Sequence, residues 1–220
     1  MEIVVQANES FRAANETRRR YVVMKGSAGS GKSADSAQHY ILRLMRDRGR
    51  NLLAMRKSES TNRNSTFAEL QAAISRMGVE KLWTVTTSPL EMVCANGNRI
   101  LFRGMNDAKQ RDKIKSITFP HGNLTDIWME EATEFSREDL EILDDRLRGE
   151  LPEGLFYQIR LTFNPVSANH WIKRIFFDRQ DPDVFLHHST FLDNRFIDEA
   201  FHRRMLRRRS IDPDGYRVYG

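Results

Sequence analysis

Eight consecutive residues, Gly26-Ser27-Ala28-Gly29-Ser30-Gly31-Lys32-Ser33, fit the spacing G-x-x-x-x-G-K-[ST] in full. Glycines at these places let the backbone turn tightly, so that its N–H groups converge on phosphate oxygens. A helix opening near Lys32 adds the positive end of its dipole. Lys32 then reaches the β and γ oxygens of ATP, and the Ser33 hydroxyl ligates Mg²⁺. A second carboxylate is needed on the metal side, and "DIWMEEATEF" (126–135) supplies Glu130 and Glu131 after three apolar residues. Glu130 takes the metal-side role; Glu131 orients and deprotonates the attacking water. The second acid favours hydrolysis over transfer to a metabolite, although a solvated acid pair at a strand end has the same sequence. In "TFNP" (162–165), Thr162 and Asn164 stand where the γ-phosphate would be sensed and its loss passed on. A plain strand-to-helix turn with Asn164 as cap is the alternative.

These residues must be held by a core, and 220 residues suffice for one large α/β domain or two small ones. No apolar run of eighteen residues exists, so a membrane span is not expected, and "MEIVVQANESF" does not read as a secretory signal. Cys94 is the sole cysteine, which suits a reducing cytoplasm. The formal net charge is +5 and clustered, with "RRR" at 18–20 and five arginines in "FHRRMLRRR" (201–209). A polyanionic partner and a solvated helix face both account for that excess.

"YVVMKG" (21–26) reads as a buried strand feeding the glycine-rich loop, and "SADSAQHYILRLMRDRG" as the helix after it, stopped at Gly49. "NLLAMRK" (51–57) is a second buried strand and "STFAELQAAISRMG" (65–78) a second helix. The alternation predicts an α/β fold with a mostly parallel central sheet flanked by helices. Asn96-Gly97, between two alternating segments within 89–105, predicts an antiparallel hairpin at the sheet edge. Further strands are expected over 126–135, 155–165 and 184–191, with helices over 136–149 and 169–177.

The ordered set closely resembles the ATPase domain of phage terminase large subunits. It runs through "RYVVMKGSAGSGKS" (20–33), "NGNRILFRGMNDAKQRDKIKSI" (96–117), "DIWMEEATEF", "LDDRLRG" (143–149), "LTFNPVSANHWIKRIFF" (161–177), "HSTFLDN" (188–194) and "DPDGYRVYG" (212–220). The resemblance implies a P-loop NTPase of ASCE/RecA-like type spanning 1–220, and Mg²⁺-dependent ATP hydrolysis. It also implies a homo-oligomeric ring around double-stranded DNA, docking to a portal protein, and work with a small terminase subunit. The place would be the host cytoplasm, at the procapsid portal. Family members continue into a nuclease domain, which is expected to be absent from this chain, so it should cut nothing.

Some members carry an arginine inside the P-loop, where this chain has Ala28. Arg146 and Arg148 in "DDRLRG" are then candidates to act in trans on a neighbouring subunit. Lys113 and Lys115 in "RDKIKS" are candidate DNA contacts without sequence preference. Gln6 is a candidate for reading adenine, while Trp83, Trp128 and Trp171 read as packing residues. A RecA-like helicase or DNA-remodelling ATPase shares the loop and acid pair but needs a second motor domain and further motifs. A small-molecule P-loop kinase needs an acceptor site and an arginine-rich lid, and a non-catalytic DNA-binding scaffold would not bind ATP.

Overall fold

The structure is a computed structural model describing residues 3, 5–165 and 167–219. Val166 and Gly220, within two of the segments that carry the resemblance, lie outside the described residues. The chain runs α1 (Arg12–Glu16), β1 (Tyr21–Gly26), α2 (Lys32–Arg46), β2 (Arg50–Met55), α3 (Thr66–Arg76), β3 (Trp83–Thr87), β4 (Leu90–Cys94) and β5 (Arg99–Arg103). It continues through α4 (Ala108–Lys115), β6 (Asn123–Glu130), α5 (Arg137–Asp144), β7 (Gln158–Phe163), β8 (Val184–Ser189), α6 (Glu199–Ile211) and α7 (Pro213–Tyr219).

The eight strands form one sheet in the order β3-β4-β5-β2-β6-β7-β1-β8. β5, β2, β6, β7, β1 and β8 run parallel, as the strand–helix alternation predicts. Asn96-Gly97 does turn an antiparallel hairpin, β4 to β5. The hairpin is not the outermost piece, however, because β3 pairs antiparallel with β4 beyond it. Strand alternation sorts the core into two layers. Leu52, Ala54 and Trp128 face α2 and α3, which present Tyr40, Ile41, Leu44, Phe67, Leu70 and Ile74 at helical spacing. Leu53, Met55, Ile127 and Met129 face the other way, toward Ile114, Leu140, Leu143 and Phe176.

Three expected elements are shorter than the sequence suggests. The strand of 126–135 ends at Glu130, the helix of 136–149 ends at Asp144, and the strand of 155–165 is Gln158–Phe163. The first difference has a chemical reason. Continuing β6 through Glu131 would send Glu130 and Glu131 to opposite faces of the sheet. Glu131 instead takes a left-handed conformation, φ 53° and ψ 55°, and the chain turns there.

Near the start of the strands lies a buried charge cluster. Asp126, wholly buried, faces Arg50 at 3.1 Å and Arg43 at 3.2 Å, and both guanidiniums lie over the Phe156 ring. Removing the acid leaves buried Arg43 with no carboxylate among the described residues and Arg50 with Asp47 alone, which costs far more than losing a surface pair would. Asp126→Ala is expected to lower stability by about 3–5 kcal/mol in urea unfolding.

Candidate nucleotide site

Strand order places three functional strand ends side by side. β7 lies between β6 and β1, so the end carrying Thr162 and Asn164 sits between the P-loop and the acid pair. Ser33 Oγ donates to Glu130 Oε1 at 2.6 Å, and Thr162 Oγ1 donates to Glu130 Oε2. Trp128 Nε1, fully buried, donates to Thr162 Oγ1 at 2.8 Å, which commits the threonine proton to Glu130. Trp128 thus does more than the packing expected of it. Burial, above all, raises the Glu130 carboxyl above its ordinary range, against the two hydroxyl donors.

Gly26 closes β1 where a Cβ would stand 2.7 Å from Ser189 Oγ and 2.9 Å from the Ser189 carbonyl oxygen. Gly29 has φ +77°, and a Cβ there would meet the Phe201 ring at 2.8 Å. The loop is also strapped from outside. Ser27 N–H donates to the Ser189 carbonyl, Ser27 Oγ accepts from Phe191 N–H, and Asn194 Nδ2 donates to the Gly29 carbonyl. Asn8 Nδ2 holds Asn194 in turn at 3.0 Å. The props from Ser189, Phe191 and Asn194 come from more than 160 residues away, and sequence spacing carried no signal for them beyond the quoted "HSTFLDN".

No side chain caps the N-terminus of α2, in contrast to the reciprocal Ser136–Asp139 capping box of α5. The first N–H groups of α2 are therefore available to an anion. Lys32 is buried, and its ammonium donates to Asn164 Oδ1 at 2.6 Å and to the Ser27 carbonyl at 3.4 Å. Burial is the main cause that lowers its pKa, with Glu130 and Glu131 opposing. The half-buried Glu131 makes no side-chain hydrogen bond or salt bridge among the described residues. Ser33 and Glu130 offer a hydroxyl and a carboxylate, hard oxygen donors of the kind Mg²⁺ takes alongside phosphate oxygens and water. Among the described residues no group of three or more His, Cys, Asp or Glu could hold a metal by itself.

The remaining expected site residues fall elsewhere. Arg20, just before β1, donates to the Asp144 carboxylate and to the Asp144 and Leu147 carbonyls. That tie fixes the segment carrying Arg146 and Arg148 at the end of the sheet opposite the P-loop. Arg146 donates to the Ile117 carbonyl and Arg148 is exposed. Lys113 and Lys115 are exposed on α4, Lys115 paired to Asp112 at 3.0 Å. Gln6 lines a cleft of about 540 Å³ beside the start of α2, with Asn8, Gly31, Gln38 and Asn194.

An open, mostly parallel sheet with a P-loop after β1 and an acid pair after β6, separated by one strand, defines a P-loop NTPase of ASCE/RecA-like type. The profile of the phage terminase large subunit matches residues 18–220, and the chain belongs to that family. It is 33% identical over 217 residues to the PBSX phage terminase large subunit of Bacillus subtilis, covering 90% of this chain and 48% of the relative. It is 34% identical over 198 residues to the terminase large subunit of Bacillus phage SPP1, covering 88% and 46%. The chain thus spans about half the length of the curated relatives it matches. The large terminase of a thermophilic bacteriophage shares the fold, with a TM-score of 0.73 at 17% identity over 96% of this chain and 50% of that one. That terminase has been solved with ADP and with ATP-γ-S.

The turn after Glu131 leads into α5, whose cap is ionic. Asp139, with no exposed side-chain surface, meets Lys57 at 2.5 Å, Arg111 at 2.9 Å and the Ser136 N–H at 2.8 Å. Burial alone would raise its pKa, but the Lys57, Ser136 and Arg111 contacts together bring it below the ordinary carboxylate value. A depressed acid adds stability that is present above the unfolded pKa of about 3.9 and lost as pH falls through the folded value. Asp139→Asn is expected to cost about 1.5–3 kcal/mol at pH 7. Its acid unfolding curve should be shallower than the parent's below about pH 4.

Proposed function

We propose that this chain is the ATP-hydrolysing motor portion of a terminase large subunit, driving double-stranded DNA into a procapsid. The observation that carries the reading is the Ser33–Glu130 hydrogen bond, which joins the phosphate loop to the acid strand with Glu131 as the next residue. The backbone N–H groups of 26–33 and the α2 N-terminus bind the phosphates. Lys32 releases Asn164 and turns to the β/γ oxygens. Ser33 and Glu130 would hold Mg²⁺, which when bound neutralises charge on the phosphate oxygens. Glu131 accepts the proton of the attacking water. Once the γ-phosphate leaves, Asn164 regains the Lys32 ammonium, so the end of β7 alternates between two partners.

Gln6 and the cleft beside α2 take the adenine. Arg146 and Arg148 serve a neighbouring subunit's site in a ring, since they lie far from their own. Lys113 and Lys115 touch DNA phosphates. The portal protein and the small terminase subunit are the assembly partners, at the portal in the host cytoplasm. A packaging motor is the expectation for the family, and no helix among the described residues is long and apolar enough to cross a membrane.

Removing a positioned general base costs about 10²- to 10⁴-fold in rate. Glu131→Gln is expected to lose hydrolysis on that scale while ADP affinity stays at the parent value, measured by phosphate release and by titration calorimetry. Parent-rate hydrolysis by this variant, with DNA and portal present, would remove Glu131 from the role.

A further inference from the structure

Glu131 is the sole non-glycine residue with positive φ among the described residues. A left-handed conformation is unfavourable at a glutamate and persists only where neighbours over-determine it. Part of the bracing is local. Glu134 N–H donates to the Glu131 carbonyl at 2.9 Å and Phe135 N–H to the Ala132 carbonyl at 3.2 Å, closing a single 3₁₀ turn.

Arg56 adds an ion pair to Glu134 at 3.0 Å, and one distant dipeptide grips the backbone of the turn itself. His170 Nε2 lies 3.1 Å from the Thr133 carbonyl oxygen, and Trp171 Nε1 donates to the Phe135 carbonyl at 2.7 Å. A carbonyl only accepts, so His170 carries its proton on Nε2, and Nδ1 accepts from Ile172 N–H at 3.3 Å. Two adjacent side chains therefore grip two carbonyls of the turn that Glu131 opens. The same dipeptide lies six residues after Asn164, the partner of Lys32.

Pro165, Ser167 and Ala168 of the intervening segment face open space on one side. A cavity of about 280 Å³ lies beside it, lined by Lys25, Thr133, Phe163, Pro165, His170 and Phe177. The helix beyond it takes π-type turns over Lys173–Phe177, an irregularity frequent at functional sites.

We propose that His170 and Trp171 are positioning residues for Glu131, and that they carry the state of Asn164 to it. When Asn164 gives up the Lys32 ammonium, the segment behind it shifts, and the two donors move the 132–135 turn and with it the Glu131 carboxylate. The inference rests on Glu131 being the base. It gives the histidine and tryptophan of "NHW" a task that neither nucleotide contact nor core packing assigns.

The test compares His170→Phe/Trp171→Phe, which keeps an aromatic ring at each position (larger at 170, smaller at 171) but loses both donors, with His170→Gln, whose amide retains an N–H for the Thr133 carbonyl. The double variant is expected to lose about 10- to 100-fold in kcat, the scale of a small misplacement of a catalytic group. Its KM for ATP and its ADP affinity stay within about twofold of the parent, and His170→Gln keeps most of the rate. Added to Glu131→Gln, the double substitution costs nothing further, because the group it positions is already gone. A double variant at the parent kcat, beside an inactive Glu131→Gln, overturns the clamp alone. So does a loss in which KM, ADP affinity and thermal midpoint all worsen together and His170→Gln rescues nothing. Glu131→Gln at the parent rate overturns the base assignment and the clamp with it. Should the double variant fail to fold, the single Trp171→Phe is read by the same criteria.

Discussion

A carboxylate buried among hydroxyls is the constraint around which this domain is arranged. Glu130 has almost no exposed surface, yet among the described residues it receives no salt bridge; Ser33 and Thr162 satisfy its two oxygens instead. An acid in that setting is tolerable only where both donors are fixed. Ser33 is fixed by the start of α2, and Thr162 by β7 and the Trp128 indole. The arrangement therefore requires β7 to lie between β6 and β1, and that sheet order is observed. The same order sets Asn164 against Lys32, so one strand end touches both the Glu130 carboxylate and the Lys32 ammonium.

Around this centre the loop has little freedom. Gly26 is pressed against Ser189, Gly29 against Phe201, and Asn194 and Asn8 link the loop to both flanking segments. A rigid cradle of this kind holds its N–H groups in place before phosphate arrives, which reduces the ordering that binding must impose. The turn after Glu131 is a second rigid piece, tied to α5 by the Ser136–Asp139 box and to Arg56 through Glu134. Between the two pieces, Pro165, Ser167, Ala168 and His170 border a cavity of about 280 Å³.

Much of this was legible in the sequence, and the reasons differ by element. The P-loop and the β4–β5 hairpin were readable because glycine and Asn-Gly report backbone conformations that few other residues adopt. The parallel strands were readable as apolar runs because both faces are covered. The end of β6 was not, since "EEATEF" continues without a turn residue and the reversal at Glu131 is imposed by its surroundings. β3 escaped because it is a five-residue outer strand paired on one side only, with just two apolar residues, Trp83 and Val85, to mark its alternation. Trp128 and Trp171 read as packing because an indole N–H shows its partner only in three dimensions. The Ser27–Ser189 and Asn194–Gly29 ties span too much chain for spacing to reveal.

The central claim is that Lys32 and Glu130 change partners when nucleotide enters, with Asn164 as the residue released. A crystal structure of this chain with Mg²⁺ and ATP-γ-S tests it most directly. The Lys32 ammonium is expected to have left Asn164 Oδ1 for the β/γ oxygens. Ser33 Oγ is expected to have left Glu130 for a metal held at about 2.0–2.1 Å, with Glu130 bound to that metal directly or through one water. A structure with nucleotide seated on the loop, Lys32 still bonded to Asn164 and Ser33 still bonded to Glu130 would contradict it.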